Sequence, residues 1–198
     1  MAKNIGYLKK IFIYISEINE LIKFNIQNSH NISIIYDDIN HNKESFYKIK
    51  SFCKLKKLNL YLVDNFKLSI KHKLSGIIIS SNNKRNLYYG NPLCKKIKFQ
   101  IYGKAHNQVE YYFKNRQNCI GIFLSPIFYN KKYSMNSILN ISKFSLISSN
   151  WNIKKYALGG ISPQNLRKLK NLKINGFVLR SAFLKKKLDK NFKLFNTI

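Results

Sequence analysis

A glycine pair between a short apolar run and a lysine-rich stretch, Leu158-Gly159-Gly160-Ile161, is the segment of this chain best suited to hold an oxyanion. Two successive glycines lack Cβ atoms, so their backbone N–H groups can turn toward an anion and approach it closely. Tyr156-Ala157-Leu158 reads as a strand leading into the pair, and Ser162-Pro163 reads as the cap and first residue of a helix leaving it. Leu166, Leu169 and Leu172 share one face of that helix, and Asn175-Gly176 stops it. A second extended run, Phe177-Val178-Leu179, ends at another small-residue corner, Arg180-Ser181-Ala182. A guanidinium and a hydroxyl there would complete a site for one phosphate group, made of Gly159, Gly160, Arg180 and Ser181. Strand alternation leaves open whether Arg180 faces that site or solvent. His106 is the second residue suited to chemistry, because an imidazole titrates near neutrality and can move protons; capping the helix that follows is the competing role.

Elements of two periods must position these groups. Short apolar or β-branched runs are expected as strands at Ile11–Ile15, Ile32–Tyr36, Leu58–Val63, Gly76–Ile79, Lys98–Tyr102, Cys119–Leu124, Lys154–Leu158 and Phe177–Leu179. Helical patterns are expected at Ile18–Gln27, Lys43–Lys57, Phe66–Leu74, Asn107–Gln117, Met135–Ser148 and Ser162–Leu172, with a closing helix over Ala182–Phe195 and loop over Asn82–Pro92. Strands in regular alternation with helices predict parallel pairing and an α/β fold, a compact (β/α)8 TIM barrel, as one domain over residues 1–198. An open doubly wound sheet competes, but the first strand is not followed by the GxGxxG of that fold. In a barrel, ligand-facing groups come from the C-terminal ends of strands. That rule selects Asp37 and Asp38, Asp64 and Asn65, Ser80 to Asn83, Lys104 and His106, Ser125 to Lys132, the glycine pair, and Arg180-Ser181. Adjacent residues at a strand end point to opposite sides, so only one of Asp37 and Asp38 can face the mouth, and a solvated turn is the expected role of the pair.

The chain carries 36 Lys+Arg against 8 Asp+Glu, a formal net charge of +28. The lysines are scattered through nearly every helical stretch and accompany abundant Asn, Ile, Tyr and Phe, all encoded by A/T-rich codons. Drift in an A/T-rich genome accounts for such a pattern without a specific nucleic-acid partner, although a polyanion surface stays open; an anionic small ligand is attracted in either case. Cys53, Cys94 and Cys119 have no CxxC or paired spacing and read as reduced thiols of a cytoplasmic protein. The apolar patch near the N-terminus is too short to span a membrane, and the four histidines are too dispersed for zinc. His30, His41 and His72 read as surface residues. A homo-oligomer is left open.

At several of these corners the sequence resembles thiamine-phosphate synthase and the related TenI-like thiazole tautomerases. YALGGISPQNLRKL with INGFVLRSAF is similar to the family's strand-GGI-helix segment and terminal strand. IGIFLSPIF, Ile120 to Phe128, resembles its sixth strand and Gly-Pro turn, with Ser125 in place of glycine. YGKAHN, Tyr102 to Asn107, resembles a strand end that normally reads Gly-x-Ser-x-His, and Val63 to Asn83 aligns without gaps to the family's metal-binding segment. The likeness spans Ile32 to Phe183 and is strongest in the C-terminal half.

The resemblance implies a transferase that joins a hydroxymethylpyrimidine diphosphate to a thiazole phosphate, giving thiamine phosphate and pyrophosphate. It implies Mg2+, with Asp64 and Asn83 at the ligand positions; Asn83 stands where the family has Asp, and Val63 where it has Asn. The family's pyrophosphate-gripping cations would fall near Tyr36, Asp37 and Asp38, where none stands. Lys104, in place of serine, and Lys131 and Lys132, in place of a Thr-x-Thr-Lys turn, offer positive charge from another direction. In the tautomerase branch the histidine at this corner, here His106, is implied to move the proton that aromatises the thiazole. The expected function is therefore a synthase-like transferase, with a tautomerase or a non-catalytic phosphate-ligand-binding barrel as alternatives. Its partners would be the phosphorylated pyrimidine and thiazole, with no membrane and no specific nucleic acid.

Overall fold

Parallel strands covered on both faces need apolar residues at nearly every position, and β-forming runs such as Ile32–Tyr36 and Gly76–Ile79 of this chain meet that requirement. The computed structural model describes residues 9–22, 31–38, 42–85, 98–129, 134–162 and 164–180. Within them, β1 (Lys10–Ile15), β2 (Ile32–Tyr36), β3 (Asn59–Val63), β4 (Gly76–Ile79), β5 (Gln100–Ala105), β6 (Gly121–Leu124), β7 (Lys154–Ala157) and β8 (Gly176–Arg180) close in sequence order into one barrel. Every pairing is parallel, including β8 with β1, where Tyr14 lies opposite Arg180. The outer layer holds α1 (Ile18–Ile22), α2 (Lys43–Leu55), α3 (Phe66–Lys71), α4 (Gln108–Arg116) and α5 (Asn140–Ser148), with 3-10 helices at Met135–Ser137 and Leu166–Asn171.

Alternation along each strand sorts residues into two cores. Ile13, Ile34, Leu60 and Leu62 point outward and pack under the helices with Phe46 and Ile49 of α2. The opposite phase fills the barrel with rings: Phe12, Tyr61, Tyr102, Phe123 and Tyr156. Phe12 makes edge-to-face contacts with the other four, at centroid distances of 4.9–5.8 Å. Glycine at 121 makes room for them, since a Cβ there would lie 2.7 Å from the Tyr156 ring. Below the rings, Lys10 Nζ donates to the hydroxyls of Tyr61 and Tyr102, both at 3.2 Å, and closes the floor.

Three sequence expectations are corrected. The fifth strand begins and ends later than Lys98–Tyr102, so Lys104 belongs to β5 itself. Gly103 is needed within the strand because the stem of Lys114 on α4 lies against it; a Cβ would meet Lys114 Cγ at 2.7 Å. The helix expected at Ser162–Leu172 is only the 3-10 helix Leu166–Asn171. Asn165 causes this: its Oδ1 accepts the Ser162 N–H and its Nδ2 donates to Gly160 O, tying the segment into a turn before a helix can start. The pattern at Met135–Ser148 is split, with Asn140 at φ +51° and its side chain accepting the Lys143 N–H. Of the expected helix Ile18–Gln27, residues 18–22 are helical and 23–27 lie outside the described residues, as does the closing helix Ala182–Phe195.

Candidate functional site

At the C-terminal ends of the strands lies a cavity of about 350 Å³, whose walls include Tyr14, Asp37, Lys104, His106, Gly159, Gly160 and Arg180. The phase that fills the barrel with rings also aims these side chains. Lys104 follows Tyr102 by two residues, Arg180 follows Val178, and Tyr14 follows Phe12, so all three stand one layer above the aromatic core. The alternative left open for Arg180 is thereby decided: its guanidinium sits 4.9 Å over the Tyr14 ring, at the mouth.

Tyr14 is the centre of the polar network. Lys104 Nζ lies 4.5 Å from the centroid of its ring and donates to its hydroxyl at 3.2 Å, and that hydroxyl in turn donates to Asp37 Oδ2. Two cations thus flank one ring while a carboxylate takes its proton donor. Burial pulls the Lys104 ammonium below the usual lysine range; Asp37 and Asp64 oppose that pull and Arg180 adds to it. Asp38 points the other way, accepting from the Tyr36 hydroxyl at 2.9 Å and the Asn42 N–H at 3.1 Å, so the two adjacent aspartates divide between mouth and turn.

His106 faces the mouth and does not cap the next helix. The cap is Asn107, whose side chain accepts the Glu110 N–H at 2.9 Å, while Glu110 Oε2 accepts the His106 N–H at 2.7 Å. His106 Nδ1 meets the Ser125 carbonyl at 2.7 Å and the Ser125 hydroxyl at 3.2 Å. Opposite a carbonyl, Nδ1 carries the proton of the neutral ring, which makes Nε2 the lone-pair nitrogen.

The glycine pair has a double constraint. Gly159 and Gly160 take φ +94° and +69°, in the region where side chains are strained. A Cβ on Gly160 would also lie 2.4 Å from the carbonyl oxygens of both Phe128 and Tyr129. The turn is laced to the loop after β6: Ile127 N–H donates to Leu158 O, and Phe128 N–H to Gly159 O. Among the described residues, no acceptor meets the N–H groups of Gly159, Gly160 and Ile161. They are donors of the kind that cradle a phosphate, at the cavity wall. Among the described residues the segment that follows is a turn and not the start of an α-helix.

Asp64 and Asn83 are brought together, but as a hydrogen-bonded pair. Asp64, at φ +52°, accepts from Asn83 Nδ2 at 2.8 Å and from the Ser80 N–H at 3.0 Å, while Asn83 Oδ1 accepts the Arg85 N–H at 3.1 Å. An asparagine that turns its amide N–H2 to the carboxylate and spends its oxygen on backbone does not fit a magnesium ligand pair. Among the described residues no group of three or more His, Cys, Asp or Glu could hold a metal ion. In this structure the two residues serve as a loop clasp. Lys114 and Gln117 of α4 reinforce it from beneath: Lys114 Nζ donates to Asn83 O at 2.7 Å, and Gln117 Nε2 donates to Asn83 O and Arg85 O at 3.0 and 2.6 Å. Lys131, Lys132 and Ser181 lie outside the described residues.

Sequence reasoning missed Tyr14, which carries no signal at an all-apolar strand except phase: once Phe12 is assigned inward, Tyr14 must follow it. Lys114 was missed because one lysine among so many gives no sign of burial.

No family model and no curated protein sequence matches the chain. Solved structures match along nearly its whole length. Thiamine phosphate pyrophosphorylase from Pyrococcus furiosus is 12% identical over 96% of each chain, with a TM-score of 0.72. This chain is a TIM barrel. KGPDC from Streptococcus mutans superposes at a TM-score of 0.68 with 7% identity over 96% of each chain. The native KDPGal structure does so at 0.63 with 9% identity, over 100% of this chain and 99% of that one. Identities this low establish the barrel and no activity.

Proposed function

We propose that this barrel is a thiamine-phosphate-synthase-like transferase, which joins a hydroxymethylpyrimidine diphosphate to a thiazole phosphate. The observation that carries the proposal is one cavity that unites the Gly159–Ile161 donors, Arg180, Lys104 and His106. The thiazole phosphate would rest on those backbone N–H groups with Arg180 at its edge. In the reaction the pyrimidine C–O bond breaks and its electron pair leaves with the diphosphate. The resulting carbocation is captured by the thiazole nitrogen lone pair, forming the C–N bond with no proton lost. Lys104 and Arg180 supply positive charge beside the departing diphosphate, and Tyr14 keeps the two in place by its ring and hydroxyl. No step is assigned to magnesium, because the Asp64–Asn83 clasp does not fit it.

One observation favours a second reading, a tautomerase-like isomerase acting on the thiazole phosphate alone. His106 is fixed by Ser125 in the tautomer that leaves Nε2 basic, and proton transfer there needs neither diphosphate nor metal. Incubating purified protein with each substrate singly and with both separates the two. Thiamine phosphate formed only when both are present supports the transferase; proton exchange or isomerisation of the thiazole phosphate alone replaces it with the isomerase.

A further inference from the structure

We propose that Lys104 is a nucleophile that forms an imine with the carbonyl group of a small phosphorylated aldehyde or ketone seated in the mouth. This goes beyond the transferase reading, since it requires no diphosphate and no second substrate.

Three features carry it. Lys104 projects from β5 into the cavity from the barrel interior, above an apolar layer made of Tyr102, Phe123 and Val178. An amine with an apolar floor loses hydration that would hold it as ammonium, and burial does lower its proton affinity. A proton path leads away from it: Lys104 Nζ donates to the Tyr14 hydroxyl, which donates to the Asp37 carboxylate. Deprotonation of the ammonium can thus end on Asp37 while the tyrosine stays neutral. Finally, the same cavity is walled by the Gly159-Gly160 turn and Arg180, so a phosphate held there would present the rest of a short molecule to the interior.

The step balances without any oxidant or reductant. The neutral amine attacks the carbonyl carbon, a C–N bond forms, and the carbonyl π pair moves to oxygen, which takes a proton from the attacking nitrogen. The carbinolamine then expels that oxygen as water, with the proton relayed from Asp37 through Tyr14, and leaves a protonated imine.

Glycolaldehyde phosphate is the probe, with sodium cyanoborohydride at neutral pH to trap the imine as a stable secondary amine. Intact mass and peptide mapping read the product. One adduct per chain is expected, mapping to Lys104, forming at least about tenfold faster than on surface lysines and slowed by inorganic phosphate. Unphosphorylated glycolaldehyde should label Lys104 no faster than it labels the surface. Tyr14→Phe should slow trapping on the order of tenfold. Lys104→Arg, which keeps the cation but cannot form the imine, should abolish the adduct with an unchanged circular-dichroism spectrum. Adducts spread over surface lysines with no preference for Lys104, or labelling of Lys104 that is indifferent to the phosphate group, would overturn the proposal. Trapping and thiamine phosphate formation are read on different substrates, so either can fail alone.

Discussion

At the scale of the residue, the site is organised by one phenol between two cations and a carboxylate. Lys104 loses hydration to stand beside Tyr14, and a desolvated amine at a mouth costs stability. Lys104→Met should therefore leave the melting temperature unchanged or raised while slowing thiamine phosphate formation on the order of a hundredfold. A melting temperature that falls by several degrees would make Lys104 a structural residue. Gly160 needs a different treatment, because replacing it tests packing and not ligand binding. Its missing Cβ is already demanded by two carbonyl oxygens at 2.4 Å and by φ +69°, so a side chain there would displace the Phe128–Tyr129 segment whether or not a phosphate binds. Arg180, exposed and in contact with the Tyr14 ring, is the residue whose change reports on the ligand. Burial pushes the Cys53 and Cys119 thiols up to about 12, which leaves both unreactive near neutral pH.

At the scale of the element, the site depends on how closely α4 approaches β5. Gly103 lets the stem of Lys114 lie against the strand, and from there Lys114 Nζ and Gln117 hold Asn83, which holds Asp64. Gly103→Ala is expected to cost about 1–3 kcal/mol by overpacking against Lys114, measured by denaturant unfolding. A loss below about 0.5 kcal/mol would mean that the helix can withdraw without consequence. This scale also marks where the sequence is legible. All eight strands could be read because most are runs rich in apolar residues, but Lys104, two residues past the expected end of its strand, and the direction of Arg180 were settled only by the structure. The elements that went unread are those decided by single side chains acting on backbone: Asn165 folding Ser162 into a turn, Asn140 splitting a helix, and Gly103 serving a neighbour and not its own strand. Asn83 is similar, since a sequence position names an oxygen donor but cannot say that the amide will present its nitrogen.

At the scale of the whole molecule, the barrel has a polar floor and a polar mouth separated by rings. Lys10 at the floor is pulled down to about 8 by burial, with the Lys154 charge adding to the effect. Its folded-state value lies below that of the unfolded chain, so between these two values the unfolded chain binds the extra proton. This group therefore makes folding more favourable as pH rises from 8 toward the unfolded value. Between pH 7.5 and 9.5 the wild type should gain thermal stability relative to Lys10→Met, a difference seen by calorimetry at matched ionic strength. A difference that is flat or falls with pH would show that the floor is open to water. The formal charge of +28 adds long-range attraction for any anionic substrate, yet it cannot choose among them; the mouth must. Calorimetric titration tests most directly the proposal that this mouth holds the phosphate of a thiazole substrate. Thiazole phosphate and its dephosphorylated alcohol would be titrated into the wild type and into Arg180→Gln at physiological salt. Binding of the phosphate form only, weakened about ten- to a hundredfold by Arg180→Gln, is the expected result. Equal binding of both forms, or an Arg180→Gln affinity equal to that of the wild type, would contradict it.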